Sequence, residues 1–155
     1  MKPLDINTII NETIALIATD AAVRNDVIKI ELEKGLPQVL GDRIQLQQVI
    51  LNLISNSFDA LESSQGEHEI LISTKRLDAN MVMVAVKDSG CGIPAQDMPK
   101  LFTHFFTSKP DGLGMGLSIS RSIIEAHGGR LDARNNSDFG ATFYFTIPVN
   151  VKDAR

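Results

Sequence analysis

The sequence predicts one α/β domain in which three helices cover one face of a mixed, largely antiparallel sheet. Its 155 residues are 43% hydrophobic and 22% charged, the size and composition of a single globular domain. Apolar residues recur with helical spacing in three segments and alternate with polar residues in others, so both helices and strands are expected. No repeat, low-complexity segment or linker divides the chain, and residues 1–155 are predicted to form one two-layer unit.

The N-terminal half predicts a helix, a strand and a second helix. Asp5 can cap a helix whose apolar positions recur at steps of three and four. Residues 28–33 alternate strictly, which predicts a strand covered on one face. Asp42 and Gln45 resemble a capping box and open a helix that runs to about Leu61. The apolar positions of the first helix are Ile6, Ile9, Ile10, Ile14 and Ile17.

The C-terminal half predicts one more helix and four strands. A long glycine-rich segment follows Lys87, and irregular segments of this kind in compact domains are usually functional. A third helix is predicted from about residue 113 to residue 127, with Gly128 and Gly129 as its C-terminal cap. The strands are predicted at residues 69–75, 81–87, 130–134 and 141–148.

Charge and cysteine content exclude several classes of function. A net charge of −4 and a pI near 5.3 give no general attraction for nucleic acid or anionic lipid. The single cysteine, Cys91, cannot form an internal disulfide, and the three histidines lack the spacing of a zinc site. No apolar run approaches the ~20 residues that span a bilayer, and the N-terminus lacks a signal-peptide core, so we expect a cytoplasmic domain.

Three polar residues share one face of the second predicted helix. Asn52, Asn56 and Asp59 stand at positions i, i+4 and i+7 of an otherwise apolar segment. A solvent-facing stripe is one interpretation. Asn and Asp are poor helix formers, however, and an asparagine oxygen is a ligand that a phosphate-bound magnesium ion accepts.

Asp88 ends an apolar strand and precedes a turn that contains Gly90 and Gly92. A carboxylate only accepts hydrogen bonds, so at the floor of a pocket it suits an exocyclic amino group, and the glycines would let a flat ring approach the backbone. The alternative is an Asp-initiated turn between two elements. The spacing also imitates a dinucleotide fingerprint, but the βαβ unit that this fingerprint requires is not predicted.

Three alternating glycines, Gly112, Gly114 and Gly116, precede or open the third helix. Exposed backbone N–H groups and the positive end of the helix dipole together make an anion site, which favours phosphate binding over a purely structural role. No Gly-Lys-Ser/Thr follows, so this is not a P-loop.

Residues 101–109 lie between the two glycine segments and contain three phenylalanines and one lysine. Core packing is one interpretation of the phenylalanines. An irregular segment with exposed aromatic rings also suits a lid over a nucleotide, with Lys109 free to meet the terminal phosphate. The phenylalanines are Phe102, Phe105 and Phe106.

The order and spacing of these motifs resemble the ATP-binding catalytic domain of sensor histidine kinases, in the superfamily of gyrase, the Hsp90 chaperone and the mismatch-repair protein MutL. Residues 52–60 are similar to the asparagine box, and the phenylalanines to the phenylalanine box. Asp88 begins a stretch similar to the first glycine box, and residues 112–116 are similar to the second. The resemblance covers essentially the whole chain and implies a Bergerat-type fold that binds ATP and Mg²⁺.

The resemblance also implies residue roles. Asn56 would coordinate magnesium, Asp88 would bind the adenine amino group, and Thr142 would help to bind adenine. Asn56 and Lys109 are the predicted catalytic residues. The predicted nucleotide-binding residues are Asn52, Asn56, Asp59, Asp88, Gly90, Gly92, Ile93, Phe102, Phe105, Thr107, Lys109, Gly112, Gly114, Met115, Gly116, Leu117 and Thr142.

Two departures from the family pattern have consequences. Asp59 stands where many members carry Lys, Arg or His, so a basic phosphate contact is absent from this helix and Lys109 gains importance. The Asp59-Ala60 pair resembles the subgroup of nitrogen-regulation kinases. None of the three histidines lies in the phosphoacceptor motif of the family. We therefore expect a monomeric catalytic domain that is separate from its dimerisation and phosphoacceptor hairpin.

In the parent protein, the resemblance implies that phosphate passes to a histidine of that hairpin and then to a response regulator. The parent protein could be anchored in the inner membrane. Three alternatives stay open. Gyrase-type or MutL-type ATPases place a glutamate where Asn52 stands, and an amide cannot serve as that base. A protein-serine kinase of the anti-sigma-factor type shares the fold, and the last alternative is a non-catalytic nucleotide-binding adaptor.

Overall fold

The computed structural model describes residues 1–103 and 116–150, and in this part of the chain three α-helices pack on one face of a five-stranded sheet. This confirms the predicted fold class. The helices are α1 (Ile6–Arg24), α2 (Arg43–Glu62) and α3 (Gly116–Ala126), and a 3-10 turn covers Met98–Lys100. The strands are β1 (Lys2–Leu4), β2 (Val27–Leu32), β3 (Val39–Gly41), β4 (Glu69–Arg76), β5 (Met81–Asp88), β6 (Leu131–Asn135) and β7 (Ala141–Pro148).

The main sheet has the strand order β2-β4-β5-β7-β6. β2 runs parallel to β4, and every other neighbouring pair in this sheet is antiparallel. Across the centre, Ile72 lies opposite Val86, and Val86 lies opposite Phe143. Residues directly opposite each other point to the same side, so these three side chains share the face that the helices cover.

The hydrophobic core lies between this face and α2, the central helix. α2 contacts both α1 and α3 as well as β4 and β5. Its apolar positions follow the 3.6-residue period, which turns one side of the helix towards the sheet. Fully buried α2 residues include Leu46, Ile50, Leu53, Ile54 and Leu61.

Both predicted helix starts are confirmed by their cap bonds. The Asp5 carboxylate accepts from the backbone N–H groups of Asn7 and Thr8, and the Asp42 carboxylate accepts from that of Gln45 at 3.0 Å. These bonds satisfy N–H groups that the first turn of a helix leaves without partners. The predicted start of the third helix near residue 113 lies outside the described residues.

Three details differ from the sequence prediction. β1 and β3, each three residues long, pair antiparallel in a separate small sheet that no periodicity could show. Val39 of β3 also forms a bridge to Val149. The strand predicted to be covered on one face is β2, which lies at the edge of the main sheet. Its cover is incomplete, because the apolar side chain of Ile30 is 49% exposed.

Among the described residues, α1 is long and apolar enough by length and composition to cross a membrane. The sequence prediction considered only uninterrupted apolar runs, whereas α1 meets the criterion for a membrane-spanning helix through its mean hydropathy of 1.2. Its side chains Ile6, Ile9, Ile10 and Ile17 are buried in the core. A core helix of a soluble protein meets the same criterion, so this feature is weak evidence for a membrane span.

Candidate functional site

The polar face of α2 is half-buried rather than solvated. Asn52, Asn56 and Asp59 are all of intermediate exposure. The Asn52 amide donates to the backbone oxygen of Gly116 at 3.2 Å and to Ser120 Oγ at 3.0 Å. Asn52 therefore ties α2 to the first turns of α3, and the interpretation as a solvent-facing stripe is wrong for this residue.

Asp88 lies at the end of β5 and is only 2% exposed. Its Oδ1 accepts from the backbone N–H of Gly90 at 2.9 Å and from that of Ala141 at 3.2 Å. Burial raises the pKa of the Asp88 carboxyl above its ordinary value, and these two hydrogen bonds offset the increase only in part. Both bonds end on Oδ1, and Oδ2 accepts from neither of these N–H groups.

The Ser57 hydroxyl on α2 is fully buried and has no hydrogen-bond partner among the described residues. It lies near the Asp88 carboxyl and favours its ionised form, although the geometry falls short of a hydrogen bond. Buried hydroxyls are normally hydrogen-bonded, so an exception of this kind marks a place where water or a ligand completes the structure. No periodicity singles out Ser57, because a small polar residue on a buried helix face is also compatible with packing.

The first glycine turn packs against α2. A Cβ at Gly90 would lie 2.7 Å from the backbone oxygen of Ala60, and the Cys91 N–H donates to that oxygen. This close approach by itself requires glycine at position 90. Gly92 has φ +77°, a conformation that favours glycine.

Two consecutive asparagines that the sequence patterns did not single out surround this turn. Asn135 accepts from the N–H of Ile93 at 2.7 Å and donates to its carbonyl oxygen at 2.9 Å. Asn136 donates to the carbonyl oxygens of Asp88 at 3.0 Å and Phe139 at 2.7 Å. Asparagine is common in turns, so sequence alone could not distinguish these residues from ordinary turn residues.

The structure argues against the predicted adenine contact of Thr142. Thr142 lies opposite Lys87, so these two side chains share one face of the sheet. Ala141, Phe143 and Asp88 lie on the other face, which the helices cover. Side chains alternate between the two faces of a strand, so Thr142 points away from α2 and from the Asp88 carboxylate. Its hydroxyl donates to Asn136 Oδ1. The motif match could not show this, because it did not establish which strand position faces inwards.

The predicted lid is described only in part. Phe102 is half-buried, and the Arg121 guanidinium lies 4.9 Å from the centre of its ring, which supports the packing interpretation for this residue. Leu117 also packs against the core. Gly116 is the first residue of α3. Six predicted site residues lie outside the described residues, namely Phe105, Thr107, Lys109, Gly112, Gly114 and Met115.

His127 links the ends of two helices. Its Nε2 accepts from the backbone N–H of Asp42 at 3.0 Å, and Nδ1 lies 2.8 Å from the carbonyl oxygen of Ile123. The first bond requires an unprotonated Nε2, so Nδ1 carries the proton and donates. His127 therefore has a structural role, because it joins the end of α3 to the start of α2.

A cavity of about 450 Å³ lies at the end of β5. Its strand residues Glu69, Leu71 and Lys87 alternate with core residues and so point away from the helices. Asp88 and Gly90 also line it, but none of the three polar residues of the α2 face does. The cavity therefore does not reach the polar face of α2.

A family model described as "Histidine kinase-, DNA gyrase B-, and HSP90-like ATPase" matches residues 41–151, from the end of β3 to beyond β7. The chain belongs to this family. The matched segment contains α2, the Asp88 turn and α3. Together with the relatives that follow, this match confirms the resemblance to histidine kinase catalytic domains, whereas the resemblance to the nitrogen-regulation subgroup stays a prediction.

Individual members of this ATPase family give the same assignment. The sensor protein FixL of Bradyrhizobium diazoefficiens is 44% identical over 93% of this chain. The catalytic domain of the histidine kinase ThkA has a TM-score of 0.82 at 32% identity, covering 96% of this chain and 97% of its own. Full-length ShkA in complex with AMPPNP has a TM-score of 0.82 at 26% identity, covering 95% of this chain and 30% of its own.

These relatives include much longer chains. The present chain spans 28% of FixL. It spans 42% of the ThkA chain in a structure of ThkA in complex with the response regulator protein TrrA, at 30% identity and a TM-score of 0.80. The similarity therefore identifies an ATPase domain of the histidine kinase type.

Proposed function

We propose that this domain binds Mg-ATP against the polar face of α2 and the Asp88 turn. The observation that supports this most is the buried Asp88 carboxylate, which two backbone N–H groups hold through one oxygen. The other oxygen is available to accept from the amino group of adenine. The family match and the AMPPNP complex of ShkA point to the same ligand class.

The described residues fit this ligand. Ser57 supplies a buried hydroxyl without a partner beside Asp88, the kind of group that a base or an ordered water would satisfy. Asn56 lies one helical turn from Asn52 on the polar face, and its side-chain oxygen is the predicted ligand of Mg²⁺. The bound cation would neutralise phosphate charge during transfer.

In the full-length protein, the acceptor is a histidine on a separate dimerisation domain. A ring nitrogen of that histidine attacks the γ-phosphorus, the bond from phosphorus to the β,γ-bridging oxygen breaks, and ADP leaves with the bond electrons. The phosphoryl group then passes to an aspartate of a response regulator. This domain contributes positioning and charge neutralisation, which account for most of the catalysis in phosphoryl transfer.

The family resemblance implies roles for further residues. Lys109 and the second glycine box would contact the phosphates, and residues 101–109 would form the lid. The domain alone would be monomeric and cytoplasmic. The Asn52 amide donates to Gly116 and Ser120, a structural role that does not provide the base of a gyrase-type hydrolase.

Titration calorimetry with ATP, with and without Mg²⁺, tests the proposal. Asn56→Ala should abolish most of the affinity that Mg²⁺ adds and leave metal-free ATP binding nearly unchanged. Ser55→Ala is the matched control, because Ser55 is an exposed neighbour on the same helix. A wild-type domain that binds no ATP in either condition would refute the proposed function.

A further inference from the structure

The hairpin between β6 and β7 lies directly against the end of β5. Residues 136–140 form this turn, and the Asn136 N–H donates to the Gly140 carbonyl at 2.9 Å. A Cβ at Gly140 would lie 2.1 Å from the Asp88 carbonyl oxygen, and Gly140 has φ +77°. The turn is thus placed as closely to Asp88 as a glycine permits.

Asn136 fixes the backbone of Asp88 from this turn. Its amide nitrogen donates to the Asp88 carbonyl, and its amide oxygen accepts from the Thr142 hydroxyl. A second constraint comes from β7, where the Ala141 N–H donates to Asp88 Oδ1. The main chain and the side chain of Asp88 are therefore both held by the β6–β7 hairpin.

Asn135 fixes the other end of the same glycine turn. It bonds both backbone polar groups of Ile93, and its Oδ1 lies 3.1 Å from where a Cβ of Gly92 would be. One amide that satisfies an N–H and a C=O of the same residue defines both the position and the orientation of that residue. Residues 88 and 93, at the two ends of the turn, are thus attached to consecutive asparagines.

From this geometry we infer that Asn135 and Asn136 are positioning residues that set the selectivity of the site for adenine. The inference rests on the proposed nucleotide function, because it assumes that Asp88 accepts from the 6-amino group of the base. Neither asparagine needs to touch the nucleotide. Each acts through the turn that carries the carboxylate, and a displaced carboxylate meets the amino group less well.

The test compares ATP with ITP, which has a carbonyl oxygen in place of the 6-amino group. Asn136→Ala should weaken ATP binding about five- to tenfold, the equivalent of one hydrogen bond, and leave ITP binding unchanged or slightly stronger. Asn136→Asp should resemble Asn136→Ala, because a carboxylate cannot donate to the Asp88 carbonyl. Ser137→Ala, in the same turn, is the matched control and should leave both affinities unchanged.

A purely structural role would change both affinities together. Equal weakening of ATP and ITP, or an unchanged ratio in a folded Asn136 variant, would overturn the inference. If Asn136→Ala does not fold, Asn135→Asp decides the question, since it keeps the acceptor for the Ile93 N–H and loses only the donor. A ratio unchanged in Asn135→Asp would then overturn the inference.

The inference can also fail separately from the proposed function. In an Asp88→Asn background, Asn136→Ala should have no further effect on the ratio of ATP to ITP affinity, because the carboxylate that it positions is gone. If Asp88→Asn lowers that ratio but Asn136→Ala does not, only the positioning role is refuted. If wild-type protein binds ATP without any dependence on Asp88, the proposed base contact itself is refuted.

Discussion

Replacement of Asp88 by asparagine should separate nucleotide recognition from folding. The new amide keeps an oxygen where Asp88 Oδ1 accepts from the Gly90 and Ala141 N–H groups. Its nitrogen takes the place of the oxygen proposed to accept from adenine. The loss of a hydrogen bond to a charged acceptor, about 2–3 kcal/mol, should weaken ATP binding roughly 30- to 150-fold.

Asp88→Ala is the informative comparison. It leaves both backbone N–H groups buried without the carboxylate, each at a cost of about 1–3 kcal/mol. We therefore expect Asp88→Ala to lower the free energy of unfolding by at least about 2 kcal/mol, whereas Asp88→Asn should not. Calorimetric titration with ATP and urea unfolding measure the two effects. Normal ATP affinity in a folded Asp88→Asn protein would remove Asp88 from the site.

The Asp88→Asn variant also predicts a pH dependence. Burial raises the folded-state pKa of Asp88 above its unfolded value of 3.8, so its contribution to stability is fully present below pH 3.8 and is lost as pH rises through the folded-state pKa. The amide of the variant does not titrate. The stability of wild-type protein relative to Asp88→Asn should therefore fall as pH rises from below 3.8 to neutrality. A constant difference in urea unfolding over this range would contradict the reasoning.

Three further predictions concern other residues. The Ser64 carbonyl and, less strongly, Asp26 hold the pKa of His68 above 6.5, because both ring nitrogens face acceptors at 3.0 Å. The stabilisation of the folded protein by His68 should be fully present below pH 6.5 and should be lost as pH rises through the raised pKa. In urea unfolding, the His68→Gln variant should not show this decrease in stability with pH. Incubation with γ-labelled ATP should leave the isolated chain unlabelled, and acid-labile label on any of its histidines would contradict a separate acceptor domain. Lys109→Ala should weaken ATP binding more than adenosine binding, and equal weakening would exclude a phosphate contact.

Local signals predicted the helices and the long strands well. The cap residues Asp5 and Asp42 form the expected bonds, and β7 covers residues 141–148 as predicted. These features depend on neighbours in sequence, through the alternation of side chains and the chemistry of the first helical turn. β1 and β3 depend instead on each other across more than thirty residues, and three residues show no detectable period.

The candidate site shows the same division. The sequence identified Asp88 from its place after an apolar strand, and the structure confirms that it is buried there. The orientation of Thr142 and the roles of Asn135 and Asn136 depend on sheet register and on contacts 42 to 53 residues apart. Motif spacing does not contain this information, because it records order along the chain and not which face a side chain occupies.

The bridge between β3 and Val149 has a mechanical consequence. Leu4 and Val149 pair with the same residue, Val39, from opposite sides, so residues near both ends of the described chain lie about 10 Å apart, two strand spacings. Tension applied between these two points would load the short ladder of β3, and the bond from the Val149 N–H to the Asn80 carbonyl oxygen would pass part of it to the hairpin between β4 and β5. This load would enter beside the first residue of β5, Met81, whereas Asp88 is its last residue, so the nucleotide contact proposed for Asp88 stands one strand length away from it.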